Sequence, residues 1–597
     1  MASITNDSLK AVFRAQCCLL LLVGAVVFGA RAQDTTKKKK PEFSIGGDMG
    51  VSYEGYGLNL WPGRSTPPFY TPRKPWNMLR YNFSPTFTYG KWTIPFNFNF
   101  TALQNNFITP VTSGKQSLWQ FITNPANNFG ISPKIGTTQF LLGTQYIKYS
   151  DLSTGDLGAF GYGINLSPGK FRLKFFHGVS QRSIDYVAPT VVPPDPGVPG
   201  AYQRNHWMAQ LGMEENEKYF VGFNFVKAQD DINSVTSLPQ PPITPQDNMV
   251  VTFLTKVKTG NGWNLQMELG QSFHTRDLTT PASASPVLDF KPFITSHTST
   301  DRDNAVMFAL AKKKSDWEAG VKFNYYGAGY YTAGYPFMAT DRLDYLANAS
   351  FKLIKKKVNV IASAGQRLGN LSKSSGSGVN RQFIANVNLS AQVTDHFSLN
   401  GTFNNLGYNA ADITGYRSVN NEFSINPVYT WTTTTMSNMF SGTYTRSQYD
   451  ETTLVPAAVT NNNTQTALLQ YVPTFFKGNL SPDLSLMWFK NMAPPVDLTL
   501  FNATASLGWK LASKLSLKSQ LQYNTSTTAP FTADKNVLLS GGFDWELYKR
   551  LTWQLLLTGN LYRYGTGLPG NSLTPPYAGS PQYLESTIRT SLNYRFK

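Results

Sequence analysis

The feature that most restricts this chain is an alternation of apolar and polar residues that begins near Phe43 and continues to the C-terminus. Ile94, Phe96, Phe98 and Phe100 carry it, with Pro95, Asn97 and Asn99 between them. A period of two puts one set on a single face of a strand. Phe160, Tyr162, Ile164 and Leu166 repeat the pattern, cross the turn Ser167-Pro168-Gly169-Lys170, and hand it to Phe171, Leu173 and Phe175. Val251, Phe253 and Val257 lead through Thr259-Gly260-Asn261-Gly262 into Trp263, Leu265, Met267 and Leu269. Met307, Ala309 and Ala311 are expected to continue, across Lys312 to Asp316, into Trp317, Ala319, Val321, Phe323 and Tyr325. Further hairpins join Tyr345, Ala347 and Phe351 to Val358 and Val360, Leu507 and Trp509 to Leu515 and Leu517, and Phe543 and Trp545 to Trp553 and Leu555. The last strand ends in Leu592, Tyr594 and Phe596, one residue from the terminus.

Composition decides what such a strand series is for. Charged residues are 15% of the chain, against roughly 25% in ordinary globular proteins. Aromatics reach 14% and mean hydropathy is −0.27. The polar mean excludes a bundle of long apolar helices, and the ring content excludes a disordered chain. A transmembrane β-barrel satisfies both, because polar residues dilute the apolar ones at every second position. The expected fold is therefore all-β: a transmembrane antiparallel β-barrel of about 26 strands, range roughly 22–26, with short periplasmic turns and long extracellular loops.

The one long apolar run, Cys17 to Gly29, follows Lys10 and Arg14 and ends at Ala30-Arg31-Ala32. A basic start, a short apolar core and an A-x-A site read as a cleaved signal peptide over residues 1–32. The run is too short to cross a bilayer as a helix. Residues 33–42 form a basic periplasmic tail, and 43–597 the barrel. Cys17 and Cys18 leave with the signal, which removes disulfides and cysteine-based metal sites from the expected mature chain. The expected location is the bacterial outer membrane. A net charge of +18 then points to anionic lipid or an anionic solute and not to nucleic acid.

Short turns alternate with long polar connections near 55–78, 103–124, 181–203, 228–247, 273–302, 327–340, 407–419, 447–463 and 563–581. Lysines collect at the short turns: Lys91, Lys134, Lys170, Lys312 to Lys314, Lys355 to Lys357, Lys477, Lys514 and Lys549. The first long loop combines rings with cations: Trp61, Arg64, Phe69, Tyr70, Arg73 and Trp76 are candidates for a constriction or a ligand site. Pro85, Pro427 and Pro473 each precede an aromatic by two residues and are expected at hairpin ends, where a missing N–H costs nothing.

Catalytic chemistry finds no carrier. The histidines His177, His206, His274, His297 and His396 stand singly, and no nucleophile elbow, phosphate loop or metal-ligand spacing occurs. An enzyme is not expected, and no cofactor or metal is called for. The residues between the apolar ones face the lumen and are more informative. Arg172 and Lys174 follow the Ser-Pro-Gly-Lys turn, while Glu585, Arg589 and Arg595 lie on the last strand. Cations on a pore wall favour anions. The alternative is that they pair with acids on neighbouring strands and hold the barrel in shape.

The segment Leu142-Gly143-Thr144 through Phe160-Gly161-Tyr162-Gly163 to Ser167-Pro168-Gly169-Lys170, with a barrel opening directly behind a signal peptide, resembles the large outer-membrane β-barrel proteins of Bacteroidota. The resemblance implies porin-like or uncharacterised barrels without a TonB-type plug domain. It leaves two functions. One is a porin-like channel or transporter for polar, anionic solutes. The other is a non-conducting scaffold for surface-protein attachment or for the secretion and motility machinery of those bacteria. Expected partners are outer-membrane lipid and lipopolysaccharide, the barrel-assembly machinery, and a surface or periplasmic protein.

Overall fold

The computed structural model describes residues 43–60, 77–104, 118–123, 127–191, 194–195, 197, 199–215, 218–240, 242–287, 293–373, 378–410, 416–452, 461–493, 496–528, 533–563, 565 and 582–596. The expected signal peptide and basic tail lie outside these residues, as do Trp61, Arg64, Phe69, Tyr70, Arg73 and Trp76.

The strands run in chain order around one sheet. They are β1 (Phe43–Leu60), β2 (Asn77–Tyr89), β3 (Trp92–Gln104), a broken β4 (Asn128–Ile131 and Lys134–Ile135), β5 (Thr138–Ile147), β6 (Leu157–Leu166) and β7 (Phe171–Gln181). There follow β8 (Gln203–Glu215), β9 (Tyr219–Asp231), β10 (Asp247–Lys258), β11 (Trp263–Thr275), β12 (Thr300–Lys313), β13 (Trp317–Tyr326), β14 (Arg342–Leu353), β15 (Val358–Gly369) and β16 (Asn380–Gln392). The series continues with β17 (Phe397–Ala410), β18 (Tyr416–Thr432), β19 (Met436–Thr452), β20 (Asn462–Phe475) and β21 (Leu480–Ala493). It ends with β22 (Val496–Ala512), β23 (Leu515–Thr528), β24 (Asp534–Tyr548), β25 (Leu551–Arg563) and β26 (Gln582–Arg595). The sheet contains 27 segments, and the two pieces of β4 make one stave, so the barrel has 26 staves.

Closure is explicit. β1 pairs antiparallel with β26 from Asp48↔Arg595 to Leu60↔Tyr583. A closed antiparallel sheet leaves no row of unpaired backbone groups, which is what a strand-built structure needs inside hydrocarbon.

One face of the sheet is apolar around the barrel. Leu211 on β8, Phe223 on β9, Leu269 on β11, Val321 on β13 and Leu539 on β24 are all exposed on it. Near the short turns this face carries exposed Trp92, Trp263, Trp509 and Trp545. The Lys312 ammonium lies 4.7 Å from the Trp263 ring and that of Lys314 5.9 Å from Trp317. Indole rings at the edge of the apolar band, with ammonium groups reaching beyond it, are what a membrane interface selects.

Two expectations are corrected. Met307 does not face lipid: it lies opposite Glu268 and Asn324 and is buried in the interior with Ala305. Val306, Phe308 and Leu310 take the outer face instead, Leu310 opposite Leu265 and Val321. The run Ala305-Val306-Met307-Phe308-Ala309-Leu310-Ala311 is apolar at both parities, so periodicity alone cannot choose between them. Pro85 and Pro427 also sit inside strands and not at hairpin ends, while Pro473 stands two residues before the end of β20, as expected. Pro85 pairs with Gly47, while the ladder to β3 jumps from Phe83↔Phe98 to Thr86↔Pro95. Pro427 pairs with Leu399, while the ladder to β19 jumps from Ile425↔Tyr444 to Val428↔Ser441. Pro473 pairs with Asn438, with a gap toward β21 between Tyr471↔Leu484 and Phe475↔Leu480. A ring nitrogen cannot donate, and in each case the ladder opens on one side of the proline.

A short helix, α1 (Leu118–Ile122), lies on the apolar side of the wall. Phe121 meets Phe100 and Phe129 edge-on at 5.6 and 5.8 Å, and Trp119 meets Phe160 at 6.1 Å.

Candidate functional site: the lumen wall

The polar face of the sheet encloses two different environments. From β5 to β13 the wall curls around a solid core. Ile147, Phe176, Met208, Val226, Val250, Met307 and Tyr326, contributed by seven of these strands, pack against Leu152 and Tyr330. The last two come from connections on the long-loop side, 148–156 and 327–341, which fold inward.

These connections are tied down by hydrogen bonds that replace water. Ser150 Oγ donates to Glu268 Oε1 at 2.5 Å, and Asn224 Nδ2 donates to Ser150 Oγ at 3.0 Å and to Thr252 Oγ1 at 2.9 Å. Gln210 Nε2 extends the network to Asn224 Oδ1 at 2.7 Å. Tyr330 Oη donates to the Leu152 carbonyl at 2.7 Å, and Thr332 Oγ1 to that of Ser153 at 2.5 Å. Asn248 receives the Ala333 N–H at 2.9 Å on Oδ1 and gives Nδ2 to the Tyr331 carbonyl at 3.0 Å. Most of these buried polar groups satisfy one another, which offsets their desolvation, while Glu268 Oε2 and Tyr149 Oη have no hydrogen-bond partner among the described residues. Burial raises the Tyr149 and Tyr330 phenols well above their ordinary value, so both remain neutral.

The remaining wall, β14 to β26 with β1 to β3, is different. Its inward side chains are mostly half-buried, and few apolar residues are fully enclosed. Amides dominate. Asn502, Asn524, Asn536 and Asn560 stand on four consecutive strands and form a ladder across the wall; the Asn524 Nδ2 to Asn536 Oδ1 step measures 2.8 Å. Asn560 passes on to Tyr562 Oη at 2.6 Å. A second series links Asn386, Asn404 and Glu422, the last step being 3.2 Å.

The candidate pore-lining residues fall into two groups. Arg172 and Lys174 are on β7, beside the solid half. Arg172 Nε lies 2.9 Å from Glu214 Oε2, and the Lys174 ammonium lies 5.7 Å from the Tyr149 ring. Glu585, Arg589 and Arg595 are on β26. Glu585 accepts from Tyr56 Oη at 2.9 Å, Arg589 reaches Glu54 Oε1 at 3.1 Å, and Arg595 stands opposite Asp48. The structure therefore does not bring the five together. It does place Arg589 in a cavity of about 510 Å³ with Arg80, Lys518, Glu54 and Asp544. Lys518 and Asp544 form an ion pair there. Arg80 and Lys518 were missed in the sequence because each is a single charge on a strand of ordinary alternation; only closure of the barrel makes them neighbours.

No group of three or more histidine, cysteine or carboxylate side chains suited to a metal occurs among the described residues. No protein-family model matches the sequence, and no curated protein does. Among solved structures, the P pilus usher PapC translocation pore aligns over 92% of this chain and 99% of its own, with 9% identity and a TM-score of 0.37. OccAB4 of Acinetobacter baumannii aligns over 63% of this chain and 97% of its own, with 11% identity and a TM-score of 0.30. A bacterial polysaccharide outer-membrane secretin aligns over 57% and 100%, with 11% identity and a TM-score of 0.24. At these values neither the residues nor the activities of those proteins transfer. The barrel itself, with its closed ladder and its apolar outer band, is that of a transmembrane protein of the outer-membrane type.

Proposed function

We propose that this chain is a porin-like outer-membrane channel for polar solutes, with the path running along the amide-lined wall of β14 to β26 and β1. The observation that carries the reading is the contrast between the two halves. One side is solid, while the other presents half-exposed amides and hydroxyls with a cation-rich patch, Arg80, Lys518 and Arg589 facing Glu54 and Asp544. Three cations against two carboxylates bias the local field toward anions. Arg172 and Lys174 act mainly as braces, since Arg172 is met by Glu214 and Lys174 lies against an inward loop. Export by the N-terminal signal and insertion by the barrel-assembly machinery belong to the same reading.

Planar-bilayer conductance of the purified mature protein tests it. Stable openings with anion preference are expected, and Arg80→Glu with Lys518→Glu is expected to shift the reversal potential toward cations. The solid core of β5 to β13 favours a second reading, a scaffold for surface or periplasmic partners. A folded barrel that stays silent in the bilayer would select it.

A further inference from the structure

The outer face of β7 to β9 carries a cleft that the pore does not use. Its floor follows from register. His177 on β7 stands directly opposite Trp207 on β8, and Trp207 directly opposite Lys227 on β9. One step nearer the long loops, Asn205 stands opposite Gln229. All five share the parity of the exposed Leu211 and Phe223, so they face outward. Leu278, Phe293, Ile294 and His297, from the connection after β11, lie down over this face. Phe293 packs edge-on against Phe225 at 5.1 Å, and Ile294 is buried with Met249 and Phe273. The fold of the connection is held by Ser283 N–H to the Ser296 carbonyl at 2.9 Å and Thr298 N–H to that of Pro281 at 3.0 Å. Between it and the wall remains a cavity of about 960 Å³, bounded by His177, Trp207, Asn205, Gln229, Asn233 and Phe293 among others.

The chemistry of the cleft is specific. His177 and Trp207 stack at 3.9 Å between ring centroids with 30° between planes, and Trp207 keeps 44% of its surface exposed. The result is a flat aromatic platform. Above it stand amides that both donate and accept. Most charges nearby are compensated: Lys227 is paired with Asp247 in a buried ion pair, and Asp230 is gripped by Arg204 at 2.7 and 2.9 Å. Asp231, also in the lining, is exposed and accepts the Asn233 N–H at 3.0 Å, which leaves the cleft a carboxylate that accepts hydroxyls and repels anions. A flat ring face beside amides and one carboxylate suits an uncharged ligand with one apolar face and a rim of hydroxyls. We propose that this cleft binds a neutral pyranose, stacked on Trp207 and hydrogen-bonded by Asn205 and Gln229. The sugar has two possible sources, the glycan of an outer-leaflet glycolipid or a free oligosaccharide. The position immediately above the apolar band places a lipid-borne sugar within reach.

Saturation-transfer NMR of the full-length mature barrel in detergent distinguishes these outcomes, with maltoheptaose and chitohexaose as soluble probes and purified lipopolysaccharide as the lipid-borne one. Saturation transfer to sugar ring protons is expected from at least one probe. Trp207→Ala should weaken binding at least tenfold, Asn205→Ala severalfold, and Trp207→Phe less than Trp207→Ala because a ring remains. Transfer from lipopolysaccharide alone assigns the glycolipid, and transfer from the soluble probes assigns the free sugar. Heat-modifiable migration and single-channel conductance should be unchanged in all three variants, which separates loss of the site from loss of the fold or of the pore. Absence of transfer from all three probes, or equal binding by wild type, Trp207→Ala and Asn205→Ala, would overturn the assignment.

Discussion

Replacing Asn248 by alanine should release the inward connection 327–341 without unfolding the barrel. Asn248 is 1% exposed on the inner face of β10. Its Oδ1 accepts the Ala333 N–H at 2.9 Å, and its Nδ2 donates to the Tyr331 carbonyl at 3.0 Å. In the variant the Tyr331 carbonyl still receives Ser272 Oγ, so that loss is of one ordinary hydrogen bond. The Ala333 N–H is different, because Ala333 is 2% exposed and no water can reach it easily. An orphaned buried donor costs about 1–3 kcal/mol and the lost bond about 1 kcal/mol, for a total of about 2–4 kcal/mol. The strands of the wall do not depend on this side chain, so the cost falls on the connection. Its opening constant should rise by about 30- to 700-fold. Amide hydrogen exchange across residues 328–336 in detergent or nanodiscs reads that directly. Asn524→Ala, on the amide-lined half, should leave these amides unchanged. Unaltered exchange in Asn248→Ala, or the same acceleration in Asn524→Ala, would refute the view that this side chain holds the connection against the inner wall.

Other outcomes follow from the same structure. Phe98→Arg and Leu555→Arg place a charge on the apolar face at a cost of about 2–4 kcal/mol near the bilayer midplane, and should hinder assembly as seen by heat-modifiable migration, while Asn99→Arg and Gln554→Arg should be tolerated better. Gly143 has φ +79° and a Cβ there would stand 1.9 Å from the Phe129 carbonyl oxygen, so Gly143→Ala should destabilise by about 1–3 kcal/mol, whereas Gly541→Ala, with open space around its Cβ, should be near neutral by denaturant titration. Asp185, in the connection after β7, accepts the N–H groups of Thr236 and Ser237 at 2.6 and 3.1 Å, and these bonds hold its carboxyl below the usual range. A depressed folded value stabilises above the unfolded pKa and is lost as pH falls through the folded one; exchange at Thr236 and Ser237 should therefore accelerate, beyond the intrinsic trend, only below about pH 4, and Asp185→Asn should abolish that step.

Alternation by itself determined most of the architecture. A strand that meets lipid on one face must be apolar at every second position, so the sequence from Phe43 onward announces its strands, their facing and the short turns between them. It did so wherever the two parities differ in polarity, as at Phe96, Phe98 and Phe100. At Ala305 to Ala311 both parities are apolar, and only pairing with Glu268 and Asn324 turned Met307 inward. The prolines show the same limit: composition places them where a donor is not needed, but which ladder opens beside Pro427 depends on two neighbouring strands. The lumen and the outer cleft were beyond reach for a stronger reason. Arg80, Lys518 and Arg589, or His177, Trp207 and Phe293, are far apart in sequence and lie on strands with ordinary patterns. Period-two spacing says which face a residue takes and nothing of which distant residue shares it; ring closure, strand register and the fold of the connections against either face of the wall decide that, because they depend on contacts between strands and not on any strand alone.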